Sequence, residues 1–124
     1  MFNDYSITLY NFFNNSYYRT ELNQVDWQCR TSNVAGNNGI TKSNEIKIFI
    51  DKPLNNYLKP RDYRKEDNKE LYFTFKAGDI IVKDIIDFKF DEKNTLKILR
   101  KEYDDVVTIT TIKEYDDHFE LICE

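Results

Sequence analysis

Apolar and polar residues alternate over several short segments of the chain, and this two-residue period constrains the fold more than any other feature. In VDWQCRT (residues 25–31), Val25, Trp27 and Cys29 fall on one side of an extended backbone. EIKIFID (residues 45–51) repeats the alternation, with isoleucine at every second position of the pattern. Further short strands are predicted at residues 17–22, 71–75 and 86–90. Because successive side chains of a strand point to opposite faces, the period predicts half-buried β-strands.

Other patterns indicate the same fold class. Val106–Lys113 is β-branched almost throughout, and aromatic residues make up 15% of the 124-residue chain. Both features favour strands. Leucines and a tyrosine recur at helical spacing near residues 95–102, which predicts one short helix there. We therefore expect a mainly β protein, a small β-barrel or sandwich of about seven or eight short strands.

The length of the chain fits a single domain over residues 1–124. Two stretches of it lack the alternation. Residues 32–44 contain two of the three glycines together with asparagine and serine, and residues 57–70 are strongly charged and contain Pro60. Such compositions are typical of exposed loops, so we expect long loops at about 32–44 and 57–70.

The charge balance limits the classes of partner. The formal net charge is −4 and the pI is about 5.1, with charges of both signs mixed along the chain. A DNA-binding domain usually carries a basic surface, which this composition does not supply. No stretch approaches the roughly 18 apolar residues that a spanning helix requires, so we expect no membrane partner.

Groups that commonly carry catalysis are sparse. The single histidine, His118, lies among acids in a pattern typical of a polar turn. Cys29 and Cys123 lack the CxxC spacing of a zinc site, and the alternation places Cys29 in the core. The two cysteines would meet only if the last strand lay beside the strand of Cys29. We expect no enzymatic activity, no catalytic residue, no metal site and no cofactor.

The segment 57–65 combines basic and aromatic residues. Two tyrosines are interleaved there with a basic cluster, a combination typical of single-strand nucleic-acid binding. The cluster consists of Lys59, Arg61, Arg64 and Lys65. Nearby acids nearly neutralise this basic cluster, so we prefer to interpret it as a protein-binding loop. The predicted interaction residues are Tyr57, Lys59, Arg61 and Tyr63 in this loop and Asn37 and Asn38 in the loop at 32–44.

Five motifs, in their order along the chain, resemble a family of small virion proteins from tailed phages and prophages of low-GC Gram-positive bacteria. These proteins are usually called minor capsid or head–tail connector proteins. Asp84 stands where that family usually has glycine, and Phe119 where it often has tryptophan. The motifs are ITLYN (residues 7–11), IFID-x-P (48–53), YLKPRDY (57–63), GDIIVKDIIDF (78–88) and YDDVVTIT (103–110).

The resemblance implies a structural protein of the head–tail neck, with a stopper-like role. Such proteins are similar to small β-barrels that assemble into homo-oligomeric rings around the DNA exit channel. The implied partners are other virion proteins, namely the portal and adaptor on one side and a tail-completion protein on the other. DNA would be passing cargo, and the protein would be located in the virion after assembly in the host cytoplasm.

Two other functions stay open at this point. Small acidic β-domains encoded by phages also bind and inhibit host proteins, such as a defence nuclease, and the acids of YDD and DHFE could mimic the charge of DNA. A small enzyme with an unrecognised site is the third hypothesis. The shortage of paired histidine, cysteine or metal-ligating residues argues against it.

Overall fold

The computed structural model describes residues 4–36 and 39–124, except for the side chains of residues 31–44. This part of the chain contains six β-strands, and the segments that connect them contain two short α-helices and one 3₁₀ turn. In chain order they are β1 (Tyr5–Phe13), β2 (Ser16–Gly36), β3 (Gly39–Asp51), α1 (Pro60–Lys65), a 3₁₀ turn (Lys69–Leu71), β4 (Ile80–Lys83), α2 (Leu96–Glu102), β5 (Val106–Glu114) and β6 (His118–Cys123).

Six strands of the described part of the chain form a closed barrel in the order β1-β2-β3-β6-β5-β4, and β4 pairs with β1 to complete it. All neighbouring strands are antiparallel. The predicted mainly β class is confirmed, and of the two predicted architectures the barrel is the one observed. The predicted short helix near residues 95–102 is confirmed as α2. The predicted count of about seven or eight strands is wrong.

One reason for the lower count is that β2 is a single long strand. The sequence predicted separate strands before and after residues 23–24, because the alternation breaks there. In the structure the backbone continues through Gln24, which has a positive φ of 59°. The pairing with β1 shifts between Tyr5 and Ile7 at the same level. An irregularity of this kind bends a strand without ending it, so β2 turns the corner from one side of the barrel to the other.

The other reason is that two predicted strands, at residues 71–75 and 86–90, are not strands. Phe73 and Phe75 are buried, as the alternation indicated, but they fill the barrel interior from a segment whose backbone forms a single bridge, between Tyr57 and Phe73. Ile86 and Phe88 are also buried. Alternation thus identified most of the inward residues, with Leu71 as an exposed exception, although neither segment forms a strand.

The barrel interior is filled by apolar side chains from every strand. Ile7, Leu9, Ile48, Ile81 and Leu121 are fully buried there. Burial of side chains of this size stabilises a fold by about 1.5–3 kcal/mol each relative to the exposed state.

A second apolar cluster covers the outside of the barrel wall formed by β1 and β4. Tyr10 and Val82 point outward from these strands and pack with Ile86, Phe88 and Leu99 of the excursion that carries α2. The wall is therefore buried on both faces. This explains why β1 contains five consecutive buried residues instead of a strict alternation.

Both predicted loops contain regular structure. The loop expected at about 32–44 is replaced by the ends of β2 and β3, which stay paired from Asp26↔Phe49 to Gly36↔Gly39. The ladder is formed by backbone hydrogen bonds, and no proline interrupts it in this stretch. The glycine and asparagine residues, from which a loop was expected, are therefore compatible with paired strands. The loop expected at about 57–70 contains α1 and the 3₁₀ turn.

The two cysteines are free and lie two strands apart. Ile46 of β3 pairs with Cys29 on one side and with Cys123 on the other, so a strand separates the two thiols. Cys123 is fully buried, whereas Cys29 is exposed. The predicted core position of Cys29 is therefore wrong, because β2 has already left the barrel at this residue.

Candidate interaction surface

The paired ends of β2 and β3 extend beyond the barrel as a two-stranded ribbon, here defined as residues 30–36 and 39–45. Pairing of β1 with β2 stops at Val25, and pairing of β6 with β3 stops at Ile46. Within the described part of the chain, no strand pairs with the outer edge of either ribbon strand. The ribbon therefore presents two rows of backbone amides and carbonyls that are available to another chain.

The predicted interaction residues of the ribbon, Asn37 and Asn38, lie outside the described residues. The backbone on either side of them is described, and Gly36 pairs with Gly39.

The predicted interaction residues at 57–63 divide into three kinds of environment. Lys59 and Arg61 are exposed and free to contact another molecule. Tyr57 is half-buried, with its ring centroid 4.9 Å from that of Phe119. Tyr63 is fully buried in α1, so its ring anchors the helix to the barrel and offers no contact surface.

A groove of about 640 Å³ opens beside this segment, where β3 ends and the β5–β6 connection begins. The backbone amide of Lys52 donates to the carbonyl of Asp117 at 2.9 Å, which fixes the two walls together. The floor of the groove is apolar. It consists of Leu54, Tyr57, Leu58 and Phe119.

Charged side chains form the rim of the groove, and negative charge prevails. Lys52 Nζ lies 2.7 Å from Glu114 Oε2, so these two charges compensate each other. The hydrogen bond between His118 Nδ1 and Asp117 Oδ1, 2.7 Å long, lowers the pKa of Asp117, which is therefore ionised at neutral pH. The remaining charged residues of the rim are Lys59, Asp62 and Asp116.

The sequence indicated the two walls of this groove separately but not their meeting. Asp116 and Asp117 have the pattern of a polar turn before the last strand, and the structure places them between β5 and β6. Their proximity to Leu54 and Tyr57 follows from the pairing of β3 with β6, a contact between distant parts of the chain. No local signal could have revealed that pairing.

The described residues contain neither a metal-binding cluster nor a helix that could span a membrane. Among the residues that the structure describes, no group of three or more histidine, cysteine or acidic side chains is arranged to bind a metal ion. Over the same residues, no helix has both the length and the apolar character to cross a membrane.

Residues 2–124 match the model of a family of unknown function, DUF6751. The chain belongs to the DUF6751 family. No curated protein and no solved structure matches this member of the family.

In this DUF6751 protein, two of the motifs quoted above meet in the barrel. Asp79, from GDIIVKDIIDF, is fully buried and accepts hydrogen bonds from the backbone amide of Phe12 at 3.0 Å and from Lys76. Asn11, from ITLYN, donates both to Asp79 and to the carbonyl of Thr74 at 2.8 Å. These motif residues have a structural role, because they fix the segment 74–79 to β1.

Proposed function

We propose that the chain is a structural subunit of the head–tail neck of a tailed phage, a ring-forming protein that joins the portal and adaptor layers to the tail. The observation that carries this proposal is the ribbon with its two open edges. A lone two-stranded ribbon is marginally stable in water. It becomes stable when another chain pairs with an edge or packs on a face, and this is a common mode of assembly.

The barrel provides the rigid base that such a subunit needs. Apolar side chains fill its interior, and a second apolar cluster packs on the outside of the β1–β4 wall. The ribbon and the groove are separate surfaces on this base. A ring subunit requires two different surfaces, because each copy contacts one neighbour through one of them and the next neighbour through the other.

The motifs support the same role from the sequence. ITLYN, IFID-x-P, YLKPRDY, GDIIVKDIIDF and YDDVVTIT resemble the connector family in their order along the chain. The net charge of −4 agrees with a channel component that DNA passes without being bound, because like charges repel the phosphate backbone.

Negative-stain imaging tests the proposal. The purified protein is imaged alone and after mixing with a portal–adaptor complex of the same phage. We expect closed rings, or an added layer on the portal–adaptor complex. A protein that remains monomeric and is not incorporated into the complex would contradict the neck assignment.

Inhibition of a host protein is the second candidate function, and the exposed acids favour it. Asp104 and Asp105 are exposed at the end of the α2 excursion, and Asp116 and Asp117 are exposed at the rim of the groove. Paired carboxylates of this kind could occupy a cationic nuclease site. A stable monomer that lowers the activity of a host nuclease would support this function against the neck role.

A further inference from the structure

We propose that the groove of one copy receives the β2–β3 ribbon of a second copy, so that subunits join head to tail. This inference rests on the proposed function and specifies the contact by which copies would form a ring. The two surfaces are the groove at 52–62 and 114–119 and the ribbon at 30–36 and 39–45.

The two surfaces lie at opposite ends of the same strand. The ribbon ends where Gly36 pairs with Gly39, at the start of β3, and the groove begins at Lys52, directly after the last residue of β3, Asp51. A strand of this length spans roughly 40 Å at a rise of about 3.3 Å per residue. A chain therefore cannot place its own ribbon in its own groove, whereas a second copy can.

The charges of the two surfaces are complementary. The charged residues of the ribbon are Arg30, Lys42 and Glu45, which gives it a net charge of +1. Arg30 pairs with Glu45 across the ribbon, whereas Lys42 pairs with the uncharged Asn33. The groove has Asp62, Asp116 and Asp117 on its rim, and of its two lysines only Lys52 is paired with a carboxylate of the described residues, that of Glu114. In a protein whose net charge is −4, copies would otherwise repel each other, so a cationic segment and an acidic groove select this orientation.

Both the groove and the sequence of the ribbon contain apolar residues. The floor of the groove contains Tyr57 and Phe119, and the half-buried Tyr57 keeps part of its ring accessible. The sequence of the ribbon provides Val34 and Ile40 close to its end. In protein interfaces an apolar centre that is rich in aromatic residues is typically surrounded by a polar rim.

The contact is heterologous, because two different surfaces meet. Such a contact leaves one free ribbon and one free groove on every pair, so further copies add until the series closes. A closed series is a ring, which is the form that the proposed function requires.

Two variants that are each defective in one surface test the inference. In the ribbon variant, residues 32–43 are replaced by Asn-Gly, which joins Thr31 to Asn44 through a two-residue turn and leaves the barrel strands intact. In the groove variant, Asp62→Lys and Asp116→Lys reverse two rim charges. Asp104→Lys with Asp105→Lys is the matched control, with the same change of net charge outside the groove. Sedimentation velocity gives the species present in each sample, and circular dichroism verifies folding.

We expect each defective variant to be monomeric alone, the control to assemble as the wild type does, and an equimolar mixture of the two variants to form a one-to-one dimer. That dimer pairs the intact ribbon of one variant with the intact groove of the other. If the shortened ribbon variant does not fold, Lys42→Glu replaces it, since this substitution keeps the length of the ribbon.

Two results would overturn the inference. A wild type that forms rings while the mixed variants stay monomeric would reject the groove as the acceptor and leave the neck assignment standing. A wild type that stays monomeric at every concentration would reject self-association through these surfaces. Imaging with the portal–adaptor complex then decides the neck assignment separately.

Discussion

The side-chain amide of Asn11 donates a hydrogen bond to the carboxylate of Asp79, with Nδ2 and Oδ2 2.6 Å apart and both residues fully buried. The backbone amide of Thr74 donates to Asn11 Oδ1 at 3.2 Å, so the orientation of the Asn11 amide is fixed by its neighbours. Asp79 therefore has to accept at this position. A buried carboxylate is tolerated only when donors satisfy its oxygens. This requirement explains why asparagine stands at position 11 and aspartate at position 79.

We predict that Asp79→Asn lowers the free energy of unfolding by about 1–3 kcal/mol, the usual cost of leaving a buried polar group without a partner. The amide that replaces the carboxylate would bring one nitrogen against Asn11 Nδ2, and two donors repel each other. Urea denaturation followed by circular dichroism measures the change. Asp67→Asn is the control, because Asp67 is exposed, and it should change the stability little. Equal effects of the two substitutions would contradict the role of Asp79.

The carboxyl group of Asp79 should also make the stability of the fold depend on pH. Burial raises the pKa of Asp79 above its ordinary value of 3.8, against the opposing effect of its hydrogen-bond donors. Between 3.8 and the raised pKa the native state binds more protons at this site than the unfolded state does, so stability rises as the pH falls through that window. The difference in stability between wild type and Asp79→Asn should therefore grow from neutral pH towards pH 4. A difference that is constant or shrinks would show that the pKa of Asp79 is not raised.

We predict that alanine substitution destabilises the protein strongly at one residue of β2 and hardly at all at another residue on the same face. Trp27 is 7% exposed in the barrel core, and Trp27→Ala should lower the free energy of unfolding by about 3–5 kcal/mol. Cys29 is exposed two residues later, so Cys29→Ala should stay within about 0.5 kcal/mol of the wild type. Thermal and urea unfolding measure both. A large loss for Cys29→Ala would mean that the barrel wall continues past residue 27.

Two buried tyrosines differ in whether the hydroxyl is bonded, which gives a matched pair of substitutions. Tyr10 donates to the carbonyl of Phe88 at 2.6 Å, and burial raises the pKa of Tyr10 to about 12, so the hydroxyl stays protonated. Tyr63 is fully buried, and its hydroxyl has no hydrogen-bond partner among the described residues. We expect Tyr10→Phe to cost about 1–3 kcal/mol and Tyr63→Phe to be neutral or stabilising. Equal losses in urea denaturation would contradict the difference between the two sites.

The two-residue period predicted the β class and most of the inward residues, because alternation reports which side chains a half-buried backbone hides. It identified Trp27 and the isoleucines of β3 as well as Phe73 and Phe75. It did not distinguish a strand of the barrel from a segment outside the ladders that packs its aromatic side chains inward, since both contain apolar residues at every second position. This is why residues 71–75 and 86–90 were predicted as strands.

The ribbon and the groove could not be predicted from the sequence, for a different reason. Glycine, serine and asparagine have low strand propensity, but the ribbon between Arg30 and Glu45 continues a ladder that begins in the barrel, and the neighbouring pairs determine its conformation. The groove exists because β3 pairs with β6, which brings Tyr57 close to Phe119. Contacts between distant segments leave no periodic signal in either of them.

The most direct test of the assembly role compares the sedimentation of the wild type with that of the variant in which Asn-Gly replaces residues 32–43. We predict a discrete closed oligomer for the wild type and a folded monomer for the variant, with similar unfolding curves for the two barrels. Identical sedimentation of the two proteins, whether as monomers or as oligomers, would contradict assembly through the ribbon.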